Sequence, residues 1–218
     1  MHPNPIFHSA TDGETERFIA QRGFGTWVTN GSDLPVAAAA PFSCIKDANG
    51  ELGGLNAHLM RANPLAKLLK NGPRACRVII NGPDGYVSPD WYGIDNQVPT
   101  WNYIDAYVDG EVALLPDDAL PNILAELSAT FEKRLLPKPE WLIDKMQPHI
   151  LSKMMQAIVP IRLRVDNVSA TWKLSQNKPE KARKLVSKEF RKNATKVRSD
   201  LGTDLDKLAL WLDQKPQQ

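Results

Sequence analysis

The residues with chemistry to offer cluster between His58 and Tyr103. His58 and Arg61 stand near the end of an expected strand and just before a helix start at Pro64, with Lys67 one turn into that helix. A helix start exposes unsatisfied amides and the positive end of a dipole, and arginine adds a planar fork that matches phosphate oxygens. This spacing therefore points to an anion site. The bland alternative is that Arg61 pairs with a carboxylate and His58 is a satisfied strand residue. Trp91, Tyr92, Trp101 and Tyr103 follow in Gly/Pro-punctuated segments, where connecting residues are normally small and plain. Rings beside anion donors suit a flat ligand carrying a phosphate. An aromatic core beneath a barrel lid would explain any single ring equally well.

Other chemistries find less support. Ser88 lacks a nearby histidine-plus-acid arrangement, and nothing resembles a nucleophile elbow. There is no glycine-rich phosphate loop. The histidines at 2, 8, 58 and 149 are scattered, and Cys44 and Cys76 have no partners at zinc-ligand spacing. No metal site is expected, and both cysteines read as reduced, buried thiols.

The elements that must position these residues can be read in order. Thr11 and Glu14 form a capping box that opens a helix ending at Gly23, with Phe18 and Ile19 inward. Phe24 to Thr29 reads as a strand and Asn30 to Asp33 as a hairpin turn, with a return strand from Leu34 to Ile45. That return strand holds four consecutive alanines, which suggests either a bulky group against its face or tight packing on a helix. Leu55–Leu59 is a third strand, Leu65–Lys70 a short helix, and Arg77–Ile80 a fourth strand stopped by a Gly82-Pro83 turn. Thr100 to Leu115 makes one long strand, or two with a bend at Asp109-Gly110. A helix from Asp117 to about Arg134 should be capped by Asp117 or Asp118, and a second, Glu140 to Gln156, interrupted at Pro148. A strictly alternating strand begins at Ile158 and runs to Trp172 and beyond. Short, mostly antiparallel strands with inserted helices predict a β-barrel with α elements, an α+β fold.

The final segment differs in character. Lys178, Lys181, Arg183, Lys184, Lys188, Arg191, Lys192, Lys196 and Arg198 outnumber their acidic neighbours, over a thin apolar stripe of Leu185, Val186 and Phe190. This is either a solvated helix face or a contact for nucleic-acid phosphates. A last short helix is expected from Asp204 to Leu212. In a chain of 218 residues with 42% hydrophobic and 24% charged side chains, a core forms without disulfides. The lack of a signal-like N-terminus or a membrane-length apolar run predicts a cytoplasmic protein.

Five blocks, taken together, resemble the PaiB family of FMN-binding split-barrel negative transcriptional regulators. They are His58–Pro64, Gly82–Tyr92, Val98–Tyr103, Ala157–Pro160 and Trp172–Asn177. The resemblance spans residues 1–177, taken as one split-barrel domain with a helical insertion at about 117–156, and leaves 178–218 as a basic helical tail. It implies a homodimer with FMN in a cleft between the subunits. It implies that Arg61, Asn63 and Lys67, beside His58, hold the phosphate. Ser88, Trp91 and Tyr92 would flank the ribityl chain or ring, while Trp101, Asn102, Lys173, Ser175 and Gln176 close the site. Asp90 departs from the serine that relatives often carry there. Two functions fit: a flavin-responsive regulator, with the tail touching DNA or protein, and an FMN-dependent NAD(P)H oxidoreductase or flavin reductase. A haem role would rest on His58 alone.

Overall fold

In the computed structural model, which describes residues 2–195 and 200–214, six strands close into an antiparallel barrel. They are β1 (Phe24–Thr29), β2 (Val36–Lys46), β3 (Leu52–Met60), β4 (Arg74–Val87), β5 (Thr100–Leu114) and β6 (Ile158–Lys173). Their order around the barrel is β1-β2-β3-β6-β5-β4. Six α-helices accompany them among the described residues: α1 (Asp12–Arg22), α2 (Pro64–Leu69), α3 (Leu120–Glu132), α4 (Pro148–Met155), α5 (Glu180–Ala194) and α6 (Asp200–Gln214). The expected β-barrel with α elements is the observed architecture. Lys196 and Arg198 of the expected basic tail lie outside the described residues.

The chain divides into two compact units. One comprises Met1–Thr15, Asn81–Ala106 and Ser169–Gln218; the other comprises Glu16–Ile80 and Tyr107–Val168. Local chemistry explains the elements. The Thr11 Oγ1 accepts the Glu14 amide at 3.2 Å and the Glu14 carboxylate accepts the Thr11 amide at 2.9 Å, so α1 opens on the expected reciprocal cap. It ends at Gly23, whose φ of +58° admits glycine readily. In the β1–β2 hairpin Trp27, fully buried, lies opposite Ala38, with Ala40 opposite Gly25. The small side chains of β2 thus leave room for an indole, and α2 and α3 also pack on this strand. Glu126 of α3 accepts from Ser43 (3.3 Å) and Asn56 (3.4 Å), pinning the helical insertion to β2 and β3.

Three local expectations are corrected and one open alternative is decided. The chain does not turn at Gly82-Pro83; β4 runs through it as one strand. Inward positions change from even (Cys76, Val78, Ile80) to odd (Pro83, Gly85, Val87), as one extra residue in a strand produces. β5 is the first of its two alternatives, one strand continuous across Asp109-Gly110. Asp117 and Asp118 do not cap α3 through their side chains; they sit in a preceding 3-10 turn, and Ala119 occupies the cap position. Finally, helix does not run from Glu140: α4 begins at Pro148, since proline at a first helical position loses no hydrogen bond and forces Gln147 to be extended (ψ 132°).

Both cysteines are free, with Cys76 buried and Cys44 half-buried. Burial pushes the Cys44 thiol up to about 11 and the Cys76 thiol up to about 12. The thiolate is the reactive form. At pH 8 a disulfide reagent should therefore label native protein far more slowly than unfolded protein, which should release two equivalents at once. Rapid labelling of Cys76 in the native state would contradict this burial.

Candidate functional site

The predicted site residues fall into two groups, one in each unit. His58, Arg61, Asn63 and Lys67 lie in the second unit, at the end of β3 and the start of α2. Asn63 caps α2, its Oδ1 accepting the Leu65 amide at 2.9 Å, and Pro64 takes the first helical position. Lys67 is exposed and makes no ion pair among the described residues. Arg61 is held in detail. Its Nε donates to the Gln156 carbonyl (3.1 Å), and its NH2 nitrogen donates to the Ile158 carbonyl (3.0 Å) and to the Asp117 carboxylate (3.2 Å). The carboxylate partner of the bland alternative is thus present. The pair is open, however, with 40% of the Arg61 side chain and 67% of the Asp117 side chain exposed. Such surface pairs are worth roughly 0–1 kcal/mol, so an arriving anion can displace Asp117 at little cost. Arg61 and Asp117 stand in a cavity of about 540 Å³ whose walls include Leu120, Pro148, Leu151 and Met155.

His58 faces Pro160 across the β3–β6 pair, and its Nδ1 is buried without a hydrogen-bond partner among the described residues. Burial holds its pKa below the usual 6.5. The unfolded chain therefore binds the proton more readily, and His58 destabilises the fold as pH falls below about 6.5. Thermal melts of His58→Leu should lose less stability between pH 7 and pH 5 than wild type. Equal slopes over that interval would contradict a buried neutral imidazole.

In the other unit, Ser88 precedes the 3-10 turn Pro89–Tyr92, and its carbonyl accepts the Trp91 amide at 3.1 Å. Tyr92 is buried, with its hydroxyl 3.2 Å from Ser175 Oγ, and Ser175 Oγ donates to Asn102 Oδ1 at 3.1 Å. Because Ser175 has a single hydroxyl proton, Tyr92 is the donor to Ser175. Burial raises the Tyr92 phenol above its ordinary value, keeping that donor protonated. Ser175 adopts a φ of +57°, uncommon for a side chain with a Cβ. The chain ends at the Asn102 Nδ2, which is buried and has no hydrogen-bond partner among the described residues, on a residue only 1% exposed. Buried donors almost always find an acceptor, so this one is suited to a bound group or a water.

Lys173 donates to the Trp101 carbonyl at 2.8 Å and to Thr100 Oγ1, and burial lowers its pKa. The Trp101 ring is half exposed and meets Tyr86 edge-on at 6.3 Å. Gln176 turns back on its own segment, its Oε1 accepting the Leu174 amide at 2.8 Å and its Nε2 donating to the Trp172 carbonyl. The structure therefore joins Tyr92, Ser175 and Asn102, and joins Lys173 to Trp101. Trp91 instead meets Phe190 of α5, edge to face at 5.8 Å. Sequence reasoning missed Asp117, which had been read as a helix cap, and Phe190, which had been assigned to a tail.

Among the described residues, no cluster of three metal-binding side chains occurs and no helix is long and apolar enough to cross a membrane. Comparison with known proteins adds the following. Residues 1–167 match a family described as "Putative FMN-binding domain". The chain is 30% identical over 180 residues to the protease synthase and sporulation protein PAI 2 of Bacillus subtilis strain 168, covering 81% of this chain and 83% of that protein. It is 24% identical over 203 residues to an uncharacterized protein of Aspergillus fumigatus, covering 76% and 77%. Among solved structures, the FAD and heme binding protein of Mycobacterium smegmatis superposes with a TM-score of 0.53 at 18% identity, covering 76% of this chain and 72% of that one. A conserved hypothetical protein of Mycobacterium tuberculosis gives 0.54 at 14% identity, covering 79% and 91%. At such identities these structures speak to the fold alone, and it is the split barrel.

Proposed function

This chain belongs to the FMN-binding domain family that matches its residues 1–167, and we propose on that footing that it binds FMN and acts as a flavin-responsive regulator. The observation that carries the reading is the Arg61 fork, oriented by two backbone carbonyls and opposed, among the described residues, only by the exposed Asp117. Arg61 offers a phosphate its donors, and Lys67 adds an uncommitted charge. In the other unit, Asn102 Nδ2 is a buried donor suited to a polar group, held in place by Ser175 and Tyr92. Trp91 and Trp101 provide ring faces and edges. Each unit, taken by itself, thus carries groups of the kind that bind a phosphorylated, ring-bearing cofactor. Bound FMN supplies electron transfer; the side chains bind and orient it.

Regulation is favoured over catalysis by α5, which exposes Lys181, Lys184, Lys188 and Lys192 along one side. Glu180 and Glu189 pair with Lys184 and Lys192, leaving Lys181 and Lys188 for phosphates of a nucleic acid. The Bacillus relative is named for protease synthesis and sporulation, in keeping with a regulatory protein. A homodimer is part of the proposal. The outer side of the β1–β2 hairpin presents Phe24, 51% exposed, with Ala37, Ala39 and Pro41 in register across from β1. That small-residue face suits a second copy, and the setting is cytoplasmic.

The visible spectrum of freshly purified protein, with and without added FMN, tests the flavin reading. Protein-bound flavin bands are expected; protein that stays colourless and takes up no added FMN would overturn it. DNA retention that weakens with salt and falls in a Lys181→Glu/Lys188→Glu variant supports the regulator. Steady NAD(P)H consumption without DNA retention would favour the oxidoreductase.

A further inference from the structure

We propose that the α5–α6 hairpin is a built-in positioning element of the flavin site, holding the Trp91–Tyr92 turn in place. This inference rests on the flavin reading above. The family match ends at residue 167, so it does not cover these helices. They fold in the same compact unit as residues 81–106.

The contacts are close and concentrated on one short stretch. Phe190, fully buried, meets the Trp91 ring edge to face at 5.8 Å. Lys178, just before α5, places its ammonium 5.3 Å from the centre of the Tyr92 ring. A Cβ on Gly93 would lie 2.8 Å from Leu185 Cδ1, and Gly93 closes the turn with a φ of +61°. A Cβ on Gly85 would fall 2.7 Å from Leu205, 3.0 Å from Leu208 and 3.1 Å from Phe190. The glycines of this segment therefore serve close approach by the hairpin. The two helices are locked to one another through Ser187 Oγ, which donates to the Ala209 carbonyl at 3.1 Å, and to the end of β6 through the edge-on Trp172–Trp211 contact at 4.6 Å.

A four-residue 3-10 turn has too few hydrogen bonds to fix its own side chains. The orientation of Trp91 and Tyr92 must come from what packs behind them, and here that is α5. Tyr92 in turn feeds the hydrogen-bond chain through Ser175 to Asn102. A loosened hairpin therefore leaves the donors of the site present but unorganised, and a ligand then bears the ordering cost. Phe190, Leu185 and Gly85 act as positioning residues: they shape the turn without touching the ligand.

The test uses the full-length chain with a wedge on the barrel side. Gly85→Val adds bulk where Leu205, Leu208 and Phe190 converge and leaves every candidate ligand contact intact. Two readouts are taken: FMN titration followed by flavin fluorescence, and tryptophan emission of the FMN-free protein. The proposal expects FMN affinity to fall at least about tenfold and the emission to shift to the red as Trp91 loses its packing. Should Gly85→Val fail to fold by circular dichroism, Leu185→Ala, a half-buried truncation at the Gly93 contact, decides by the same readouts. Unchanged affinity with a wild-type flavin absorption envelope in a folded variant would overturn the proposal while leaving FMN binding standing. Wild-type protein that takes up no FMN would instead sink the flavin reading, and this proposal with it.

Discussion

Arg61→Ala is expected to weaken FMN binding by about a hundredfold, the loss of two charge-assisted hydrogen bonds at roughly 1.5 kcal/mol each. The guanidinium is already held in place before a ligand arrives. The Gln156 and Ile158 carbonyls fix its plane, so little side-chain entropy remains to be lost when an anion arrives. Asp117 occupies the place an anion would take, and it does so from an exposed position. Removing this competitor should act in the opposite direction. Asp117→Asn is expected to tighten FMN by a few-fold, in line with the roughly 0–1 kcal/mol of an exposed pair. Arg61→Lys retains charge without the fork and should fall between wild type and Arg61→Ala. Equilibrium titration of the four proteins gives the order directly. FMN affinity unchanged in Arg61→Ala would remove Arg61 from the phosphate site.

Gly110→Ala is expected to destabilise the barrel by about 3 kcal/mol or more, at the upper end of overpacking costs. A Cβ at Gly110 would lie 1.9 Å from the Arg164 carbonyl oxygen. The obstacle is backbone, which cannot rotate away as a side-chain end does. Arg164 belongs to the stretch of β6 that is paired with β3, where Gly54 lies opposite it, so displacing it strains that ladder too. For a chain of this length, about 3 kcal/mol corresponds to a drop in Tm of roughly 6–12 °C. Thermal unfolding of the purified variant measures it. A Tm within a degree or two of wild type would show that β5 and β6 can part without penalty.

Gly110 also shows where sequence stops being informative. A glycine is required by a turn, by a positive φ or by the close approach of another chain segment, and only the first two have local signatures. Gly23 was legible because the helix periodicity before it and the strand pattern after it bracket a stop. Gly85 and Gly110 carried no such local reason, because theirs lie far along the chain, at α5 and α6 for the one and at Arg164 for the other. Elements with their own chemistry were readable: the Thr11–Glu14 cap, the Asn30–Asp33 hairpin, the Asn63-Pro64 start of α2 and the alternating start of β6. The barrel followed from these.

The site was legible in parts. The types of residue at 58, 61 and 92 pointed to a ligand, Asn102 and Ser175 entered through the resemblance, and Tyr92, Asn102 and Ser175 do join in one hydrogen-bond chain. Asp117 was hidden because an aspartate before a helix has an adequate local explanation as a cap. The C-terminal helices were hidden by charge. Leu185, Val186 and Phe190 form a stripe that looked thin beside so many lysines, yet their partners at Gly85, Trp91 and Gly93 bury it. One consequence concerns experiments on the basic segment. Cutting the chain after Asn177 would strip Trp91 and Trp172 of their packing as well as removing cations, so charge-reversal variants of Lys181 and Lys188 are the cleaner probe of nucleic-acid binding.

The central claim is that the cofactor is held through its phosphate at Arg61. Parallel titrations of the wild-type protein with FMN and with riboflavin, which differ only in that phosphate, test it most directly. FMN should bind about a hundredfold more tightly than riboflavin at moderate salt, with the gap narrowing as ionic strength rises. Equal affinities for the two flavins, or binding of neither, would contradict it.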